Sequence, residues 1–232
     1  MSYLGADQPD PSISKVVDFA RGALQASASV FYWIDPGLNI IEVLTAGMSP
    51  RFSVDYHSGI GAGDPLFARR LAHERKKVAL LREECGKVAP GAVEPYLALL
   101  RDFAFTDTAE MIFWREGVPF AGLGILKRRE DPAIGAETVA VASAMQTYLE
   151  HSLQAHPHVR LANRHTVLAR RFGLTLREIE VVDLVAGGAS NGDIATILGI
   201  GVSTVKTHVL RSFDKLGVKN RAALIAFLFN FD

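Results

Sequence analysis

From Leu174 to Phe229, residues that start and stop helices recur at fixed offsets from apolar ones, and few folds satisfy that pattern. Thr175 followed three residues later by Glu178 is a capping box, which opens a helix to about Ala186. Gly187 and Gly188 end it. Ser190 with Asp193 caps a second, short helix with Ile194, Ile197 and Leu198 on one face, and Ala195 is small enough for close helix contact. Gly199 breaks that helix and Gly201 can cap the next, which runs from about Val202 to Leu216. Val205, Val209, Ser212 and Leu216 then face inward by helical spacing, and Lys206, Thr207, Leu210, Arg211 and Asp214 face outward. Gly217 suits the position just past a helix end. A last helix, Arg221 to Phe229, is apolar almost all round and needs cover on two sides. Its own domain supplies one side; a partner chain over Ala222, Ile225, Ala226 and Phe229 best explains the other.

Two helices joined by a short glycine-containing turn make a helix-turn-helix, whose second helix fits the DNA major groove. The segments LTLREIEVV, GASNGDIATILGI, STVKTH and KLGVKNR resemble, in order and spacing, the four-helix DNA-binding domain of LuxR/FixJ-type regulators. The resemblance implies that Lys206 and Thr207 meet bases and phosphates and that Thr204 gives a hydroxyl to the backbone. It also implies that Glu178 is a structural acid and that the final helix dimerises. Leu210, Arg211 and Lys215 are counted with the DNA-facing residues, although Lys215, like Lys219, can equally be an ordinary solvated charge. Three positions depart from the family pattern. Gly201 replaces the usual serine cap, and Leu210 and Asp214 stand where basic residues are frequent. His208 falls between the two faces, where a structural role is expected.

Charge supports the division. From Arg160 onward there are ten Arg and Lys against six Asp and Glu, while the rest of the chain carries 15 basic and 19 acidic residues. A mildly basic module thus follows an acidic one. No apolar run approaches the ~18 residues of a membrane span, and the N-terminus lacks a signal-peptide pattern. Cys85 is the single cysteine, so no intramolecular disulfide can form. These features lead us to expect a cytoplasmic protein with no membrane association.

The first part reads as α+β. Asp10-Pro11 opens a helix through Leu24. Ser29–Ile34 and Ile40–Thr45 are strand-like, and helical segments follow at 49–57, 65–75 and 93–103, with a short strand at Val78–Leu81. Glu110–Arg115 and Val118–Leu126 form a hairpin turned at Glu116-Gly117, and Asp131-Pro132 starts a long helix to about Ala155. This order predicts an antiparallel sheet covered by helices, an α-β-α sensor-like arrangement, ahead of the four-helix domain. The expected organisation is a sensor-like ligand-binding or dimerisation domain at 1–156, a linker at 157–171 holding a short helix, and the DNA-binding domain at 172–232.

Within the first domain, FSVDYHSGIGAGDPL is similar to the aromatic-then-Asp-Pro pattern of autoinducer-binding domains, which are GAF-like sensors. That similarity implies that Tyr56 and Asp64 hold the amide and carbonyl of an acyl-homoserine lactone, with Phe52, Trp114 and Trp33 as further candidate ligand contacts. An Asp carboxylate accepting an amide proton in an apolar pocket is sound chemistry. Phe52 stands where that family has its first Trp, Ala79-Leu80 where it has a second, and Ala109 near its Gly. Core packing explains Tyr56, Trp33 and Trp114 equally well, and Asp64 before Pro65 can simply cap a helix.

Gly59, Gly61 and Gly63 do not match a phosphate loop, and His156, His158 and His165 match no metal spacing. No nucleophile–base pair stands out, so an enzyme is not expected, nor any cofactor or metal. The expectation is a dimeric regulator of transcription that binds double-stranded DNA and responds to a small-molecule, quorum-sensing type of signal. Two alternatives remain: a ligand-independent regulator whose first domain only dimerises, and a phosphorylation-controlled response regulator. The second would need a receiver domain with an early acidic pair, which the sequence lacks.

Overall fold

A computed structural model describes residues 10–229; the first residues of the stretch compared with signal peptides lie outside this range. The chain forms two compact units that divide between Leu153 and Gln154.

The first unit is α+β. Its five-stranded antiparallel sheet has the order β2-β1-β5-β4-β3, from β1 (Ala28–Ile34), β2 (Ile40–Ala46), β3 (Val78–Leu80), β4 (Phe105–Arg115) and β5 (Val118–Arg128). Strand alternation gives the sheet two apolar faces. On one, Phe31, Met111, Phe113, Leu123 and Ile125 are fully buried. That face meets α1 (Pro11–Ala23) and α6 (Ala136–Gln154); the Gln146 side chain of α6 donates to the Ile112 carbonyl at 2.8 Å. The other face carries Tyr32, Ile34, Ile112 and Leu126, covered by α2 (Pro50–His57), α3 (Ala68–Glu74) and α5 (Pro90–Asp102), with α4 (Leu81–Glu84) beside β3. β4 and β5 join through Glu116 (φ 50°) and Gly117 (φ 79°), two positive-φ residues in the tight hairpin that the sequence predicts.

The long helix starts later than Asp131-Pro132 suggests. The Asp131 carboxylate instead accepts the backbone N–H of Ser27 at 2.9 Å and of Arg128 at 2.8 Å, tying the loop to β5. Its local preference for an N-cap is overridden by two other orphan donors.

The second unit is all helix. α7 (Pro157–Phe172) occupies the stretch expected as a linker, with Pro157 in its first turn and the His156 side chain accepting the N–H of His158 at its start. It belongs to this unit physically. Leu168 is fully buried in the second core, and Asp183 takes both Arg164, at 2.9 Å, and His165. α8 (Leu176–Ala186), α9 (Asn191–Leu198), α10 (Val202–Leu216) and α11 (Arg221–Phe229) follow. Leu174, Val181, Val182, Val185, Ile194, Val205 and Leu224 are the centre of their shared core.

Candidate DNA-binding surface and ligand pocket

The α9–α10 pair is set by local chemistry. Both capping boxes form: Thr175 with Glu178, and Ser190 with Asp193. Gly199 ends α9 at φ 63° and Gly217 ends α10 at φ 68°, a left-handed conformation that residues with a Cβ adopt at a cost. Arg221 donates to the carbonyls of Val185 at 2.9 Å and Ala189 at 2.7 Å, so it closes the C-terminal end of α8.

Val205 and Ser212 of α10 are fully buried and Leu216 nearly so, which turns the opposite side outward. Thr204, Lys206, Thr207, Leu210 and Arg211 all lie on that exposed side, Leu210 with 61% of its surface accessible. Lys206 and Arg211 form no ion pair among the described residues. Two cations, two hydroxyls and one apolar side chain on the outer side of a second helix suit phosphate and base-edge contacts.

Lys215 stands apart from that group. Its ammonium donates to Glu178 Oε2 at 2.6 Å and to the Gly173 carbonyl at 2.8 Å. Glu178 is 3% exposed, and Oε2 also accepts the N–H of Thr175 at 2.8 Å. Burial opposes the charge on Glu178, but Lys215 and the cap hold its carboxyl below the ordinary value. Lys215 is exposed, and its long stem lets the charge reach back into the domain. On α11, Leu224 and Leu228 are buried, Ile225 is half-buried, and Ala222, Ala226 and Phe229 are exposed, Phe229 at 74%.

In the first unit, a pocket of about 70 Å³ opens beneath α2 on the Tyr32 face of the sheet. Phe52, Tyr56 and Asp64 line it, together with Tyr32, Tyr96 and Glu110. Asp64 does two jobs. Oδ1 accepts the N–H of Leu66 at 2.8 Å, a local turn that starts the approach to α3, and Oδ2 accepts the Tyr56 hydroxyl at 2.9 Å. Burial lifts its carboxyl to about 6, although the Leu66 N–H and the Tyr56 and Tyr96 phenols favour the ionised form. Trp33 and Trp114 do not line this pocket. Trp33 sits on Phe31 in an edge-on contact at 4.9 Å, on the other face of the sheet. The Trp114 indole donates to the Lys76 carbonyl at 3.1 Å. Both are packing residues at their ends of the sheet.

Glu110, Tyr32 and Tyr96 are pocket residues that sequence reasoning missed. Glu110 is 7% exposed, and its Oε1 accepts the Tyr32 hydroxyl at 2.8 Å. Burial raises its carboxyl well above the ordinary value; the Tyr32 bond opposes that shift, and the nearby Asp64 charge adds to it. Burial and the neighbouring carboxylates also raise the Tyr32, Tyr56 and Tyr96 phenols, which therefore stay protonated. Register explains the room for these groups. Gly124 pairs with Glu110 on one side and Val30 on the other, and a Cβ there would meet Glu110 Oε2 at 2.6 Å. A Cβ at Gly122 would collide with the Tyr32 phenol. The available signal was a carboxylate inside the apolar run Ala109–Trp114, opposite a strand with two glycines in alternation.

Among the described residues there is no cluster of His, Cys, Asp and Glu able to hold a metal, and no helix long and apolar enough to cross a membrane. Residues 173–228 match the family described as bacterial regulatory proteins, luxR family. Along nearly the whole length, the chain is 25% identical to the monoamine regulon transcriptional regulator of Klebsiella aerogenes, over 97% of this chain and 93% of that one. It is 51% identical over 53 residues to the probable transcriptional regulatory protein NarL of Mycobacterium tuberculosis, which is 23% of this chain and 24% of that protein. The crystal structure of Escherichia coli SdiA aligns over 95% of this chain and 90% of its own, with a TM-score of 0.45 and 15% identity. The capped α9–α10 pair and the family match agree: residues 173–228 form a helix-turn-helix domain of the kind described for bacterial regulatory proteins of the luxR family.

Proposed function

We propose that this regulator acts in the cytoplasm as a homodimer whose grip on DNA depends on a small molecule held by the first unit. The observation that carries the DNA part is the exposed side of α10. Thr204, Lys206, Thr207 and Arg211 are presented to the major groove, and Leu210 offers an apolar contact of the kind that suits a thymine methyl. The exposed Phe229, with Ala222, Ala226 and the half-buried Ile225, supplies the dimer contact. Two copies would then read two half-sites whose spacing follows their symmetry. The signal enters the pocket bounded by Phe52, Tyr56 and Asp64 and shifts the population of DNA-competent pairs. An acyl-homoserine lactone is one form of this reading, supported by the Tyr56–Asp64 pair. The pocket volume of about 70 Å³ lies well below the ~300 Å³ at which sites for drug-sized ligands begin, so such a ligand requires the pocket to widen.

Selection of duplexes from a random library by the full chain tests this. The expected product is a two-fold symmetric sequence, bound as a dimer by sedimentation, with Phe229→Asp weakening binding at low protein concentration. Enrichment of nothing above the starting library would overturn the proposal.

A further inference from the structure

The polar part of the pocket is made of acids and phenols. Glu110 on β4 and Asp64 before α3 bring two buried carboxyls to it, and Tyr32, Tyr56 and Tyr96 bring three hydroxyls. The two carboxyls are not equally satisfied. Asp64 has both oxygens engaged, and the Arg70 charge acts on it. Glu110 has one hydrogen bond, from Tyr32 to Oε1, and Oε2 has no hydrogen-bond partner among the described residues. No cation offsets it; the charged group that acts on Glu110 is the like charge of Asp64. Glu110 lines the pocket, so Oε2 is open to a partner that enters it. The fold makes room for this carboxyl through Gly124, and Tyr32 fixes its orientation.

The rest of the lining is aromatic. Phe52 and Tyr56 lie nearly parallel with ring centres 6.3 Å apart, and Tyr96 meets Tyr56 at a steep angle at 6.2 Å. Aromatic faces beside an unpaired carboxylate are what a cation with an apolar body requires, since ring faces attract positive charge. The small volume limits that body to a few carbons or a single ring.

We infer that the pocket binds a small organic ammonium ion, its charge paired with the Glu110 carboxylate and its carbon part laid against Phe52, Tyr56 and Tyr96. This rests on the proposal that the first unit senses a small molecule, and it names the class of signal. The bond is an ion pair; no covalent step is involved. Burial pushes the Glu110 carboxyl upward, and Asp64, the Tyr32, Tyr56 and Tyr96 phenols and His57 share the pocket with it. An ammonium ion beside Glu110 favours its ionised form, so any proton exchange linked to binding is a release and not an uptake.

The test uses the full chain at pH 7.5 with n-butylammonium and benzylammonium, against n-butanol, benzyl alcohol and N-butanoyl-homoserine lactone. Thermal shift and calorimetry in two buffers of different ionisation enthalpy are the readouts. The expected result is binding of an ammonium probe at least tenfold tighter than its alcohol, with no net proton uptake. Glu110→Gln keeps an acceptor for Tyr32, so it should fold with an unchanged circular dichroism spectrum and lose at least tenfold in ammonium affinity. Equal binding of ammonium and alcohol, net proton uptake on binding, or unchanged affinity in Glu110→Gln would overturn the inference. Stabilisation by the lactone alone would overturn it while leaving the sensor proposal standing. Stabilisation by none of the five would count against both.

Discussion

Replacing Lys215 by Met separates two roles that its position on the outer half of α10 confuses. The structure gives its ammonium to Glu178 Oε2 and the Gly173 carbonyl. Met keeps the apolar stem and removes the charge. Glu178 then remains buried and ionised with the Thr175 N–H as its remaining strong donor. Breaking a fully buried ion pair costs ~3–5 kcal/mol. The Lys215 side chain is 34% exposed, so water relieves part of that, and about 1–3 kcal/mol is the expected loss. For a helical unit of this size, that lowers the melting temperature by roughly 10 °C, read by circular dichroism or calorimetry. The sign with pH follows from the lowered Glu178 carboxyl. Its contribution is complete above the unfolded value near ~4.3 and is lost as pH falls through the folded one. The gap between wild type and variant should therefore close in acid. An unchanged melting temperature, together with a uniform loss of DNA affinity and a salt slope smaller by about one unit, would make Lys215 a phosphate contact and refute this reasoning.

Three further outcomes are expected. Gly124→Ala places a methyl 2.6 Å from Glu110 Oε2 and 3.0 Å from Val30, so it should cost about 1–3 kcal/mol by denaturant unfolding and shrink the pocket. The first unit should lose stability as pH rises from about 4 to about 6, because Asp64 binds its proton more tightly folded, with a carboxyl near 6, than unfolded. Asp64→Asn should flatten that part of the profile in thermal melts across pH. Arg221→Ala removes the guanidinium from the carbonyls of Val185, which keeps the Gly188 N–H, and Ala189, and should destabilise the second unit by about 1–2 kcal/mol without altering the α9 cap, measurable by calorimetry.

The second unit was legible because its determinants are local. Caps sit three residues from their partners, as in Thr175 with Glu178, and the glycines that stop helices sit at their ends. Helical spacing then assigns the inner and outer sides of α10. Lys215 escaped, since the position of a Cα does not show where the end of a long side chain goes. The pocket was half legible. Tyr56 and Asp64 are eight residues apart and could be paired from a motif. Glu110 and Tyr32 meet across β4, β5 and β1, and their proximity depends on strand register, which the sequence shows only as alternation. Trp33 misleads for a related reason. Size marks an aromatic as buried, but neighbouring strand positions face opposite sides of a sheet, and Trp33 falls opposite Tyr32. Asp131 shows that an Asp-Pro pair is no guarantee of a helix start when other donors compete for the carboxylate.

The salt dependence of duplex binding by wild type, Lys206→Ala and Lys206→Ala/Arg211→Ala, on a sequence selected by the protein itself, tests the central claim most directly. If the exposed side of α10 meets DNA, Lys206→Ala costs about 1–3 kcal/mol in affinity where it touches a base, and each lost phosphate contact lowers the slope against log salt by about one unit. The melting temperature should stay put, since both side chains are exposed. Wild-type affinity and slope in the double variant would show that α10 does not form the DNA surface.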